Sequence, residues 1–252
     1  MKIAAWNVAH QAVARPLHAG LIGAIRALDA QVLVLNEYVH DEGDAGRKVL
    51  FAALADTGYG MLELSEQIER NPGGEGGRLK LNNQVLIASR LRMKRGSLRG
   101  PRMEESAGET NFLHVVLGNG LEVVGMRVPM YDRRRMELYW EKFGQILDGA
   151  ANRRIVFLGD LNVKLEAPGK WAAGRLTALR AGGWQVPIAE GEWSFEGGSR
   201  IDHTIASPSF PAIRARYVAQ VGEVVLARLR GEASSAAAPV SDHAALVVEF
   251  TP

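Results

Sequence analysis

Ile155-Val156-Phe157-Leu158-Gly159-Asp160-Leu161-Asn162 runs apolar for four residues and then meets a glycine, a carboxylate and an amide. The run reads as a strand, and its polar groups arrive only where the strand stops. The same construction recurs upstream: Asn7 closes Ile3 to Trp6, and Glu37 closes the run from Val32 to Asn36. Three other runs begin the opposite way. Asn83 precedes Val85 to Ala88, Asp202 and His203 precede Thr204 to Ala206, and Ser241, Asp242 and His243 precede Ala245 to Phe250. In a mixed sheet the carboxyl end of one strand lies beside the amino end of an antiparallel neighbour, so all six groups are expected at one edge.

Helical patterns alternate with these strands. Leu17, Leu21, Ile25 and Leu28 form one apolar face between the first two, and Met136, Trp140, Phe143 and Leu147 form another within Arg133 to Asp148. Leu113 to Leu117 and Leu121 to Val124 are separated only by Gly118-Asn119-Gly120, a hairpin turn with no room for a crossover helix. The expectation is therefore an α/β chain with mixed sheets. Asn71 to Gly77 and Gly231 to Pro239 read as loops that flank a cleft. Neither a Walker A loop nor a dinucleotide fingerprint follows any strand.

The 252 residues, 47% apolar and 23% charged, have an ordinary globular composition, and no Pro/Gly/Ser linker divides them, so one domain over 1–252 is expected. No apolar stretch approaches the roughly 20 residues that span a bilayer. Met1 leads into a strand without a basic-then-apolar opening, and a cytoplasmic location is expected. The chain has no cysteine, which excludes disulfides, zinc-thiolate sites and thiol nucleophiles. Thirty Lys and Arg against 28 Asp and Glu give +2, and a pI near 9.0 leans towards polyanionic substrates.

Taken singly, each strand-end group is ordinary: Asp-Leu-Asn after a strand is a common turn, and so is Ser-Asp-His before one. Together they gather carboxylates, amides and an imidazole at one edge. Packed carboxylates repel unless a cation or protons compensate, and a mainly oxygen donor set suits Mg²⁺ or Mn²⁺ rather than zinc.

As a set, these residues resemble the endonuclease/exonuclease/phosphatase superfamily, the metal-dependent DNase I-like hydrolases, over essentially the full chain. Trp6-Asn7 resembles its opening motif, Asn36-Glu37 its metal-binding glutamate motif, and Asn82-Asn83-Gln84-Val85 its NNG-type motif, with glutamine where glycine is common. Gly159-Asp160-Leu161-Asn162 is similar to GDxN, Arg200-Ile201-Asp202-His203 to the RIDH-type motif, and Ser241-Asp242-His243 to the terminal SDH. The resemblance implies a four-layer α/β sandwich, two mixed β-sheets packed face to face with flanking helices. It implies Mg²⁺, with Mn²⁺ as a substitute, on Glu37 with Asn7 and Asp242. Asp160 would orient or deprotonate the attacking water, Asn162 would donate to the phosphate, and Asn83 would contact the phosphate or anchor its loop. His243 would face the phosphate, oriented by Asp202. One position departs. Arg127 of Arg127-Val128-Pro129 falls where many members carry histidine or tyrosine; an arginine there could hold a phosphate oxygen bidentately, and Tyr131, four residues on, could supply a phenol instead.

The implied reaction is hydrolysis of a phosphate ester by activated water. For the substrate, Arg90, Arg92, Lys94, Arg95, Arg99 and Arg102 form a basic run with no acidic member, and Arg133, Arg134 and Arg135 follow Pro129. Such runs track a nucleic-acid backbone, line a solvated face or bind inositol phosphates. Trp171, Trp184 and Trp193 are either core or base-stacking residues. The compact length favours DNA. A phosphatase or phosphodiesterase of small or lipid phosphates is the alternative, and a non-catalytic binding module on the same fold is the third reading.

Overall fold

A computed structural model of the chain describes residues 1–9, 18–38, 45–65, 84–103, 111–165, 171–232 and 238–251. Its first sheet takes β1 (Lys2–Asn7), β2 (Val32–Tyr38), β3 (Met61–Leu64), β4 (Gln84–Ser89), β10 (Ile213–Val218) and β13 (Ala245–Phe250), in the order β10-β13-β1-β2-β4-β3. The second takes β5 (Met93–Arg95), β6 (Phe112–Leu117), β7 (Glu122–Arg127), β8 (Ile155–Asp160) and β9 (Asp202–Ala206) in sequence order. A small hairpin, β11 (Gln220–Val221) and β12 (Val224–Val225), stands apart. The β1–β2 and β7–β8 pairs are parallel and their other neighbours antiparallel, so both sheets are mixed.

Alternation along each strand sorts the side chains into layers. Ile3, Ala5, Val32, Val34, Val85 and Ile87 face Leu113, Val115, Val123, Val156 and Leu158 in a core between the sheets. The alternate residues Ala4, Trp6, Leu33 and Leu35 point the other way, against Leu21, Ile25 and Leu28 of α1 (Ala19–Leu28) and Leu50 and Leu54 of α2 (Ala45–Asp56). On the far side, Val124, Met126, Phe157 and Ile205 meet Tyr139, Trp140, Phe143 and Leu147 of α3 (Arg133–Ala150) and Leu176 of α4 (Trp171–Ala181). The layers are therefore helix, sheet, sheet, helix, and the central strands are apolar throughout because both of their faces are covered.

Two positions let the sheets approach. A Cβ on Gly125 would lie 2.5 Å from Val34 Cγ1 and 2.7 Å from Val85 Cγ1, both in the opposite sheet. Gly159 has φ +139°, and a Cβ there would lie 2.1 Å from the Met126 carbonyl oxygen of its own sheet and 2.4 Å from Asn36 Nδ2 of the opposite one. Glycine is what both sites accept.

The structure adds α2, α4 and the edge strands β3, β5 and β10 to the expected elements; of these β10 alternates Ile213, Ala215 and Tyr217 with Arg214 and Arg216. It also begins β9 at Asp202 rather than at Thr204, because Asp202 and His203 pair with Asp160 and Gly159 in the ladder. Leu17, Asn83 and the Asn71–Gly77 stretch fall outside the described residues, as does most of Gly231–Pro239.

Candidate active site

Strand parity decides what meets at the edge. Asn7, Arg127, Asp160 and Asp202 each continue the side of their strand that lines the inter-sheet core, beyond its apolar residues. Glu37 would alternate to the outer face. It does not, because β2 slips register between Leu35 and Tyr38 and Glu37 takes φ +56°. This bulge returns Tyr38 to the outer core while Glu37 reaches Arg127 across the sandwich. Positive φ in a residue with a Cβ is uncommon and clusters at functional sites.

Asp160 is 2% exposed and well held. Its Oδ1 accepts from the Asn162 backbone N–H (3.0 Å), and its Oδ2 accepts from Asn7 Nδ2 (3.1 Å) and Asn162 Nδ2 (3.3 Å). Arg127 Nε lies 3.7 Å from the same Oδ2 and 2.6 Å from Glu37 Oε1. Asp202 stands directly opposite Asp160 in the β8–β9 ladder. Burial, and then the Asp202 charge, push the Asp160 carboxyl up to about 7 against the opposing pull of His243, Arg127 and the Asn162 N–H.

Asp202 Oδ2 lies 3.0 Å from His243 Nδ1. Burial opposes the imidazolium, yet Asp202, with Asp160 and Asp242 behind it, raises His243 to about 9. At neutral pH the ring is therefore charged, with Nδ1–H on Asp202 and Nε2–H directed elsewhere; Asp242 Oδ1 is 4.0 Å from Nε2. Several residues with no motif signal support this pair. Ser194 Oγ accepts from the N–H groups of Ile201 and Asp202, Tyr217 donates its hydroxyl to the Asp202 carbonyl at 2.7 Å, and the Phe195 ring lies 5.1 Å from the imidazole. Trp6 Nε1 donates to the His243 carbonyl and Ser241 Oγ to the Asn7 carbonyl, both at 2.7 Å, tying the last motif to the first.

Every described site residue anticipated from the sequence thus lies at one edge: Asn7, Glu37, Arg127, Asp160, Asn162, Asp202, Asp242 and His243. Asn83 is outside the described residues. Tyr131 packs against Tyr139 at 6.2 Å, and Arg127 meets the carboxylates. Asn162, at φ +52°, donates Nδ2 to the Val128 carbonyl at 2.7 Å as well as to Asp160. Both amide hydrogens are thereby engaged, one by Val128 and one by Asp160. Trp184 is core against Phe157, and Trp171 is half-buried beneath the Arg175 guanidinium. The basic run divides: Arg90 pairs with Asp29 and stacks on Tyr59 at the opposite end of the sheets, while Arg95 pairs with Glu63 nearer the site.

Residues 4–243 match the sequence profile of the Endonuclease/Exonuclease/phosphatase family. The chain belongs to this family. Among solved structures, an endonuclease/exonuclease/phosphatase from Beutenbergia cavernae superposes with a TM-score of 0.66 at 19% identity, over 99% of this chain and 71% of that one. An AP endonuclease from Archaeoglobus fulgidus gives 0.65 at 19%, and a 3'-5' exonuclease from Neisseria meningitidis 0.62 at 20%, each over 99% of both chains. These likenesses carry the fold, which is that of DNase I-like members of the endonuclease/exonuclease/phosphatase family. No curated protein matches the sequence. Family members are hydrolases of phosphate esters.

Proposed function

We propose that this protein is a Mg²⁺-dependent phosphodiesterase that cleaves nucleic acid, DNA foremost, by attack of water. The carrying observation is the β8–β9 register, which sets Asp160 opposite Asp202, so that a carboxylate raised to about 7 and an imidazolium raised to about 9 share one buried edge. Two titratable groups pushed to complementary states are the basis of acid/base assignment.

The donor chemistry suits a hard divalent ion. Glu37, Asp160 and Asp202 are buried and Asp242 stands at the rim, four carboxyl groups against the two cations Arg127 and His243. Among the described residues no three His, Asp or Glu side chains form a ready cage. Mg²⁺ requires none, because it is held through one or two carboxylates with water and substrate phosphate completing its shell. Glu37, with Asn7 and Asp242, would hold the ion, which when bound stabilises negative charge on a non-bridging phosphate oxygen.

The chain's own groups do the rest. Asp160, fixed by Asn7 and Asn162, receives the proton of the attacking water as the new P–O bond forms. His243 gives its Nε2 proton to the departing ester oxygen, and Asp202 fixes the ring orientation through Nδ1. Phe195 shields the imidazole from solvent. The test is Mg²⁺-dependent cleavage of a labelled duplex carrying one abasic-site analogue, beside an undamaged duplex, with EDTA and Asp160→Ala as controls. Incision is expected, falling about 10² to 10³-fold or more in Asp160→Ala. No cleavage of either duplex by folded, metal-supplied protein would overturn the DNA reading. Hydrolysis of small or lipid phosphates is then the reading to take up, since Asp29 and Glu63 engage two members of the basic run and a smaller substrate needs no continuous track.

A further inference from the structure

We propose that Arg127 is a tethered competitor for the divalent ion: its guanidinium occupies Glu37 until a phosphate group draws it away, so metal and substrate phosphate bind cooperatively. This rests on the proposed role of Glu37 as metal ligand, and it adds a regulation of that site by the bound phosphate.

The backbone leaves Arg127 little choice of neighbours. It stands directly opposite Asp160 in the parallel β7–β8 ladder. One residue below, Asn36 Nδ2 crosses between the sheets to donate to the Met126 carbonyl at 3.1 Å, tying β2 to β7 immediately beneath Glu37 and Arg127. The guanidinium is thus delivered between two carboxylates, Glu37 at 2.6 Å and Asp160 at 3.7 Å, whose side chains are only 8% and 2% exposed. The Nε contact with Glu37 lacks hydrogen-bond alignment.

Three consequences follow from chemistry. A guanidinium stays protonated, so it cannot yield to a cation by losing its own proton, as a neutral histidine or tyrosine at this position would have no need to. A divalent ion on Glu37 meets a fixed positive charge a few ångströms away in a poorly solvated setting, where like charges are costly. A phosphate offers the guanidinium two oxygens in the fork geometry it favours, an exchange of partner that releases Glu37. Because coupling between two ligands is reciprocal, each then tightens the other.

The experiment measures Mn²⁺ affinity of the metal-free full chain by calorimetry and by the Mn²⁺ spin-resonance signal, with and without inorganic phosphate. Wild type is compared with Arg127→Gln, Arg127→Lys and Glu37→Gln. Without phosphate, Arg127→Gln is expected to bind Mn²⁺ at least about tenfold more tightly than wild type. Phosphate should tighten the wild type by clearly more than it tightens Arg127→Gln, in which only the direct contact between ion and phosphate remains. Arg127→Lys, which keeps the charge and so tests the idea should the Gln variant fail to fold, should bind as weakly as wild type and lose most of the phosphate effect. Equal or weaker Mn²⁺ binding in Arg127→Gln, or a phosphate effect as large in both Arg127 variants as in wild type, would overturn the proposal while leaving Glu37 as ligand. Mn²⁺ binding that Glu37→Gln does not weaken would overturn the ligand assignment and the proposal together.

Discussion

His243 carries a charge that its burial alone would deny it. Asp202 contacts it at 3.0 Å and, with Asp160 and Asp242, lifts it to about 9. In Asp202→Asn the desolvation is left with less opposition, so the imidazole is expected to titrate well below the wild-type value. An NMR titration of the ring in EDTA reads this directly, and an unchanged value would mean that Asp202 is not the partner that matters. The alkaline limb of the pH-rate profile should move down with it, because fewer molecules then hold the Nε2 proton.

At the scale of elements, the site depends on one bulge and two close approaches. The β2 irregularity at Glu37 brings a carboxylate to the inner edge while Tyr38 stays in the outer core. Gly125 and Gly159 let β7 and β8 lie close enough to the other sheet for Asn36 to bridge to Met126. Gly125→Ala is expected to cost about 1–3 kcal/mol in chemical denaturation, since its Cβ overlaps Val34 and Val85 at the centre of the core. Asn36→Ala leaves the buried Met126 carbonyl without this donor and should cost about 1–3 kcal/mol as well. The two differ in activity. Loss of the bridge frees β2 from β7 beneath Glu37, so Asn36→Ala should lower kcat beyond what its melting temperature explains, and equal activity losses in both variants would contradict this.

For the whole molecule, buried titrating groups set a pH window for the metal-free protein. His243 is raised from an ordinary 6.5 to about 9, so its contribution to stability is complete below 6.5 and is lost as pH rises through 9. Asp160, raised from 3.8 to about 7, acts in the same sense at lower pH, its share lost between those values. His114 acts oppositely. Buried against Glu122 at 2.7 Å, with Nδ1 accepting from the Leu98 N–H, it is held below its ordinary value by burial, and stability falls as pH drops beneath 6.5. Melting in EDTA should therefore show a marked loss between about pH 6.5 and 9, absent in His243→Gln. Salt offers a second whole-molecule readout: cleavage of DNA should weaken as salt rises, because phosphate contacts release counterions. Hydrolysis of a small diester should change far less, and equal salt sensitivity of both would count against a DNA track.

What the sequence determined by itself was the set of strand-end groups. An apolar run followed by Asp160 and Asn162, and another by Glu37, can be read without coordinates because the switch from apolar to polar marks where a buried strand leaves the core. The helices α1 and α3 were legible for the same reason, since each carries an apolar face at helical spacing. The edge strands β3 and β5 were not, being short or half-exposed with no strict alternation, whereas β10 does carry one in Ile213, Ala215 and Tyr217 against Arg214 and Arg216. Only the tertiary structure decided that Arg127 rather than Tyr131 meets Glu37, that Asn162 spends its amide on Asp160 and Val128, and that the basic run is split by Asp29 and Glu63. Those partners are distant in sequence, and which of them meet depends on strand register and on how closely two sheets pack, neither of which a local pattern encodes.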